Sequence, residues 1–197
     1  DRLAERGLRY TNFHTTALCS PTRACLLTGR NHHAVGMRAV SNFDTGFPNM
    51  RGRIARSAGT MAEMLSDEGF ATWAVGKWHL APMREASAVG PFGDWPLQRG
   101  FDRYYGFMQG ETDQFHPELY EDNRLVDPPR TPQDGYHVTE DLLDRAIDLV
   151  RTQHTMVPER PFFLYLAFGA THAPHQAPDA YLEKWRGRFD DGWDVAR

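Results

Sequence analysis

Lysine is almost missing from this sequence. Of 22 basic residues only Lys77 and Lys184 are lysines, so arginine is the default cation and a single arginine says little, whereas a lysine in a special place says more. Cysteine is scarce too. Cys19 and Cys25 stand alone, with no CxxC pair and no histidine at metal-finger spacing, which excludes a disulfide framework and a structural zinc site. A bond between the two is not expected either. They are six residues apart, one before and one inside a short helix, so their side chains are expected to point in different directions. No run approaches the roughly 20 apolar residues that a bilayer crossing needs, and no secretory segment is visible. The formal charge is only -4, without clusters, which argues against an extended nucleic-acid surface and leaves room for a local basic pocket; neither nucleic acid nor a membrane is expected as a partner.

What is present suffices for a folded domain. A chain of 197 residues with 41% hydrophobic and 12% aromatic content buries a substantial core. Asp1 opens the sequence in what reads as the last turns of a helix closed by Gly7, so the residues are expected to be part of a longer chain. The compartment is left open, with cytoplasm as the default.

The organising stretch is Cys19-Ser20-Pro21-Thr22-Arg23-Ala24-Cys25-Leu26-Leu27-Thr28-Gly29-Arg30. Ser20 suits a helix N-cap, Pro21 the first helical position and Gly29 the end. Cys19 then lies just ahead of a helix N-terminus, where free N–H groups and the macrodipole favour negative charge. Arg23 follows one turn on and can offer its planar fork to a tetrahedral oxyanion at the same spot. Cys25 reads as core packing.

Two αβ units follow. Thr60-Met61-Ala62-Glu63 is a capping-box pattern whose helix ends at Gly69. The apolar run Phe70 to Val75 then suits a strand buried on both faces, and Gly76-Lys77-Trp78-His79-Leu80 puts an ammonium and an imidazole beyond its carboxyl end, where open α/β sheets place ligands. Alternation points Lys77 and His79 the same way, with Trp78 opposite. Val138 to Thr152 has helical spacing, with Thr139 or Asp141 as cap, and leads to a second apolar strand, Phe162 to Phe168, which ends in Gly169-Ala170-Thr171-His172-Ala173-Pro174-His175. Leu8 to Phe13 alternates as a third strand. Parallel packing of three strands would gather their ends.

The remaining stretches carry weaker expectations. Asn31 to Gly59 reads as a surface excursion, His32 and His33 as a solvated or capping pair. Ala81 to Pro132 is rich in glycine, proline and aromatics and can wall a pocket, with Gly110 to His116 as an ordered surface loop. His175 reads as a solvent-facing loop histidine.

Cys-x-Pro-x-Arg followed by Leu-Thr-Gly-Arg resembles the signature of the formylglycine-dependent sulfatases (arylsulfatases) of the alkaline-phosphatase-like superfamily. Gly76 to His79 resembles that family's Gly-Lys-Trp-His element, and His172 aligns with its His-x-Pro element. The resemblance implies an α/β fold with a mostly parallel central sheet and helices on both faces, and hydrolysis of sulfate esters to an alcohol and inorganic sulfate. It further implies that Cys19 is oxidised by a formylglycine-generating enzyme to an aldehyde whose hydrate is the nucleophile and one ligand of a calcium ion. Arg23 holds the hydrate, Lys77 binds a sulfate oxygen, His79 contacts the hydroxyls and acts as base when the aldehyde re-forms, and His172 protonates the leaving alcohol. Residues 1–197 then form part of a single catalytic domain lacking its N-terminal metal-binding strand and its C-terminal portion, with the other calcium ligands outside this sequence and little activity expected of this piece alone. A phosphomonoesterase or phosphonate hydrolase of the same superfold, a Cys–His hydrolase or redox protein, and an inactive truncated product are the alternatives.

Overall fold

The computed structural model describes residues 2–196. A five-stranded sheet runs in the order β4-β3-β2-β1-β5, with β1 at Ala71–Lys77, β2 at Arg103–Phe107, β3 at Leu119–Glu121, β4 at Arg124–Val126 and β5 at Phe162–Ala167. β1 is parallel to both neighbours, Trp73 lying opposite Arg103 on one side and Leu164 on the other. β3 and β4 are antiparallel additions to β2. The expected parallel arrangement therefore holds for β2-β1-β5, and a hairpin extends it.

Alternation along the strands divides the core into two layers. Ala74 of β1, Tyr104 of β2, and Phe163 and Tyr165 of β5 face one layer, shared with Ala24 and Leu27 of α1 (Cys19–Thr28) and Ala62 of α2 (Met61–Asp67). Val75, Tyr105, Phe107, Leu164 and Leu166 face the other, covered by Val138, Leu142 and Ala146 of α3 (Val138–Met156). Helices thus lie on both faces, which is why β1 is buried along its whole length.

One level of the sheet is unusually tight. Gly76 pairs with Gly106 and with Ala167; a Cβ on Gly76, whose φ is +105°, would sit 2.0 Å from the Ala167 carbonyl oxygen, and one on Gly106 2.0 Å from that of Gly76. Only glycine fits there. The constriction falls one residue before Lys77, so it fixes where the strand ends and its polar side chains begin.

Several elements depart from expectation. Leu8 to Phe13 is not a strand; Leu8, Tyr10 and Phe13 are exposed, and the segment pairs with none of the described strands, a pairing without which alternation cannot produce one. The glycine-rich Gly100–Phe107 stretch supplies β2, and the short hairpin 119–126 turns through Asp122 at φ 56°. The excursion after α1 is anchored rather than superficial, since Val35, Met37, Ile54 and Ala58 are buried. α3 is capped by His137, whose ring accepts from the Thr139 N–H; Asp141 is instead buried and accepts from the Tyr105 and Tyr136 hydroxyls at 2.7 and 2.9 Å. Among the described residues no helix is long and apolar enough to cross a membrane.

The capping box of α2 is complete: Thr60 Oγ1 accepts from the Glu63 N–H, Glu63 accepts from the Thr60 N–H, and the Thr60 hydroxyl also donates to the Arg99 carbonyl. Thr60→Ala is expected to lower stability by about 1–2 kcal/mol, read as a reduced urea midpoint at unchanged slope; an unchanged midpoint would contradict the reading.

Candidate active site

The site forms where α1 begins against the exit of β1. Leu18 is extended at the N-cap, Cys19 is the first helical residue, and Gly29 closes the helix at φ 65°. Ser20 therefore is not the cap. It lies within the first turn, fully buried, donating to the His79 carbonyl at 2.8 Å and accepting from the Ser41 N–H at 3.1 Å. The residue expected to serve the helix locally instead ties together three distant segments.

Cys19 Sγ lies 3.2 Å from His79 Nδ1, and the Lys77 ammonium is near enough for negative charge at Cys19 to raise its pKa. Both partners are buried, and Trp78 between them points the other way, its indole donating to the Asp94 carbonyl. Burial lowers the pKa of Lys77, an effect that Cys19 partly offsets. Burial also pulls His79 down to about 3, with Lys77, Arg23 and His172 adding repulsion, so the ring is neutral at neutral pH. His79 adopts φ 54°, a strained region for a side-chain-bearing residue. It is held there by its N–H to Met108 O and by Ser20 on its own carbonyl.

Arg23 reaches back across the same turn. Its Nη1 donates to the Lys77 carbonyl at 2.8 Å and to the Tyr165 hydroxyl at 3.0 Å, while Nε is buried and meets no acceptor among the described residues. His172 sits at the rim rather than in the centre. Its side chain is 46% exposed, with Nδ1 2.9 Å from Ala173 O and 3.6 Å from Glu111 Oε2; its charge is felt at His79. Arg23, Lys77 and His79 thus converge on Cys19 and His172 borders them. A cleft lined by Thr16, Cys19, Arg23 and Tyr165 opens between α1 and β5.

The other histidines and cysteine stand apart. His32 Nδ1 bonds Met37 O at 2.9 Å, a loop-closing role; His175 is exposed; Cys25 is only half-buried in α1.

Four neighbours escaped the sequence reading. Asn42 Oδ1 lies 2.6 Å from His79 Nε2. Gly110 lies so near that a Cβ would stand 2.7 Å from His79 Cε1. Glu111 faces His172, and Tyr165 receives Arg23. Only Tyr165 had a signal, a hydroxyl inside an otherwise apolar strand; the others lie in loops without periodicity.

Among the described residues no group of three His, Cys, Asp or Glu side chains could hold a metal ion. The charged groups nearest Cys19 are an ammonium and a guanidinium, so these residues by themselves do not fit a calcium ion, which takes 6–8 oxygen ligands. A hydrated aldehyde does fit: hydroxyls at position 19 would face the His79 nitrogen, with the buried Lys77 ammonium nearby.

Comparison with known proteins agrees with this geometry. The sulfatase family model matches residues 1–197. The chain is 29% identical to an arylsulfatase of Klebsiella aerogenes, over 97% of this chain and 41% of the relative, and 33% identical to N-acetylgalactosamine-6-sulfatase of Rattus norvegicus, over 97% and 38%. Among solved structures it resembles Ps i-CgsB in complex with k-i-k-neocarrahexaose, with 27% identity, a TM-score of 0.67, and 85% of this chain and 38% of that one covered. The chain spans about two fifths of the length of these relatives. From the family match along its entire length, and from the α/β sheet it shares with sulfatase structures, the chain belongs to the sulfatase family.

Proposed function

We propose that the protein to which these residues belong hydrolyses small-molecule sulfate esters, in an arylsulfatase-type reaction that yields an alcohol and inorganic sulfate, through a formylglycine made from Cys19 by a formylglycine-generating enzyme. The observation that carries this reading is the meeting of a buried ammonium and a neutral imidazole at one side chain on a helix N-terminus. A hydrated aldehyde at position 19 supplies a hydroxyl nucleophile in place of the thiol.

The chain's own residues do the rest. Lys77 donates to a sulfate oxygen from a dry position, where a charge–charge contact is stronger than in water. Arg23 holds the end of β1 through the Lys77 carbonyl and keeps one buried N–H open toward an anion. His79, neutral and facing residue 19, takes a proton there; His172, at the rim, gives one to the departing alcohol oxygen. Charge that builds on sulfate oxygens in the transition state is met by donors fixed in advance, which raises the rate more than uniform binding does.

Residues 1–197 are, on this reading, part of a single catalytic domain. β5 pairs on one side only among the described strands, Leu8, Tyr10 and Phe13 are exposed, and the relatives are more than twice as long. The calcium ligands besides residue 19 come from the rest of that domain. The 197-residue piece alone is expected to bind calcium weakly; a micromolar dissociation constant in calorimetry would refute this.

Maturation is expected to remove about 18 Da from the tryptic peptide containing Cys19, the difference between a thiol and an aldehyde. An unmodified, alkylatable thiol in active protein would point to ordinary cysteine chemistry. With the full-length protein, aryl sulfate should be hydrolysed faster than the matched aryl phosphate, and Lys77→Ala should lower kcat/KM for it by roughly 100- to 1,000-fold. Faster phosphate turnover would reject the assignment.

A further inference from the structure

His79 presents its two ring nitrogens to two different neighbours. Nδ1 lies 3.2 Å from Cys19 Sγ, and Nε2 lies 2.6 Å from Asn42 Oδ1. A neutral imidazole carries one N–H and one lone pair, so the partner of one nitrogen decides what the other can do. An amide oxygen only accepts. That contact calls for the ring proton on Nε2, which would leave the lone pair of Nδ1 facing residue 19.

The position of Asn42 is built into the fold. On one side of it the Ser41 N–H donates to Ser20 Oγ, whose hydroxyl donates to the His79 carbonyl, so the loop, the nucleophile helix and the histidine backbone share one buried hydroxyl. On the other side Asp44 accepts from Arg51 and Arg84 at 3.0 and 2.7 Å. Gly110 closes against the ring where even a methyl group would collide with it. The ring is held by its neighbours, and Asn42 is the only side chain hydrogen-bonded to Nε2 among the described residues.

We propose that Asn42 is a positioning residue that fixes the Nε2–H tautomer of His79, so that Nδ1 is the atom that takes a proton from a hydroxyl carried at residue 19. The reaction this serves rests on the sulfate-ester reading; the tautomer does not. In the step concerned the O–H bond at residue 19 breaks and its proton goes to Nδ1. The freed electron pair restores the carbonyl, and sulfate leaves with the pair of the C–O bond that breaks. Loss of the Asn42 acceptor allows the proton to move to Nδ1, which then cannot accept.

The test uses the full-length protein with nitrogen-15 histidine, Cys19 unconverted, at neutral pH, with His79→Gln assigning the signal among the protein's histidines. The expected spectrum shows a protonated Nε2 and a bare Nδ1. Asn42→Leu should move protons toward Nδ1, and Asn42→Asp should restore the original pattern; Asn42→Ala reports the same shift should the leucine variant fail to fold. In converted protein the variants lacking the acceptor should keep the initial burst of aryl alcohol but lose steady-state turnover on the order of a hundredfold, with Asn42→Asp recovering most of it. A proton on Nδ1 in the unaltered protein overturns the proposal. So does an acceptor-free variant with the original tautomer and full turnover. A full-length protein that hydrolyses no sulfate ester would defeat the sulfatase activity reading instead, and the nitrogen shifts would still decide the tautomer.

Discussion

The hydroxyl of Ser20 is the contact on which the site depends. It joins the start of α1, the carbonyl of His79 beyond β1, and the backbone of residue 41. Without a fixed distance between α1 and the exit of β1, neither Lys77 nor His79 has a defined relation to Cys19. A buried hydroxyl that both donates and accepts leaves no polar atom unsatisfied and admits essentially one arrangement of its partners. The constriction at Gly76 acts on the same joint from below, because it sets the level at which the strand gives way to polar side chains.

Burial then gives these groups their chemistry. An ammonium and an imidazole exposed to water would be ordinary; removed from it, the imidazole stays neutral and the ammonium is costly to keep charged without an anion. The open Nε of Arg23 adds a second unmet donor. A small tetrahedral anion with several oxygens answers both needs. The geometry thus supports the sulfate-ester proposal by a route separate from the family match.

Much of this was legible in the sequence, for identifiable reasons. The capping box of Thr60 and Glu63 is a local device and emerged intact. β1 and β5 were readable as apolar runs because both faces are covered, and Lys77 was conspicuous in a chain almost without lysine. What failed were inferences that depend on partners. Leu8 to Phe13 alternates like a strand but pairs with none of the described strands, and β2 was hidden by its glycine, which is there for close approach rather than for a turn. Ser20 looked like a cap because its local pattern fits one; its actual partners are 59 and 21 residues away. Asn42 had no pattern at all, since a side chain that acts on another through one hydrogen bond leaves no periodic trace.

β5 is bonded to β1 alone among the described strands, and its outer side runs beside the cleft at Arg23 and Tyr165. A bare strand edge flanked by apolar side chains such as Leu26 and Phe168 is a template for any extended peptide. With a net charge of only -4 to keep copies apart, this polypeptide handled by itself should self-associate through that edge, and its colloidal behaviour will be governed by the strand that stands beside its chemistry.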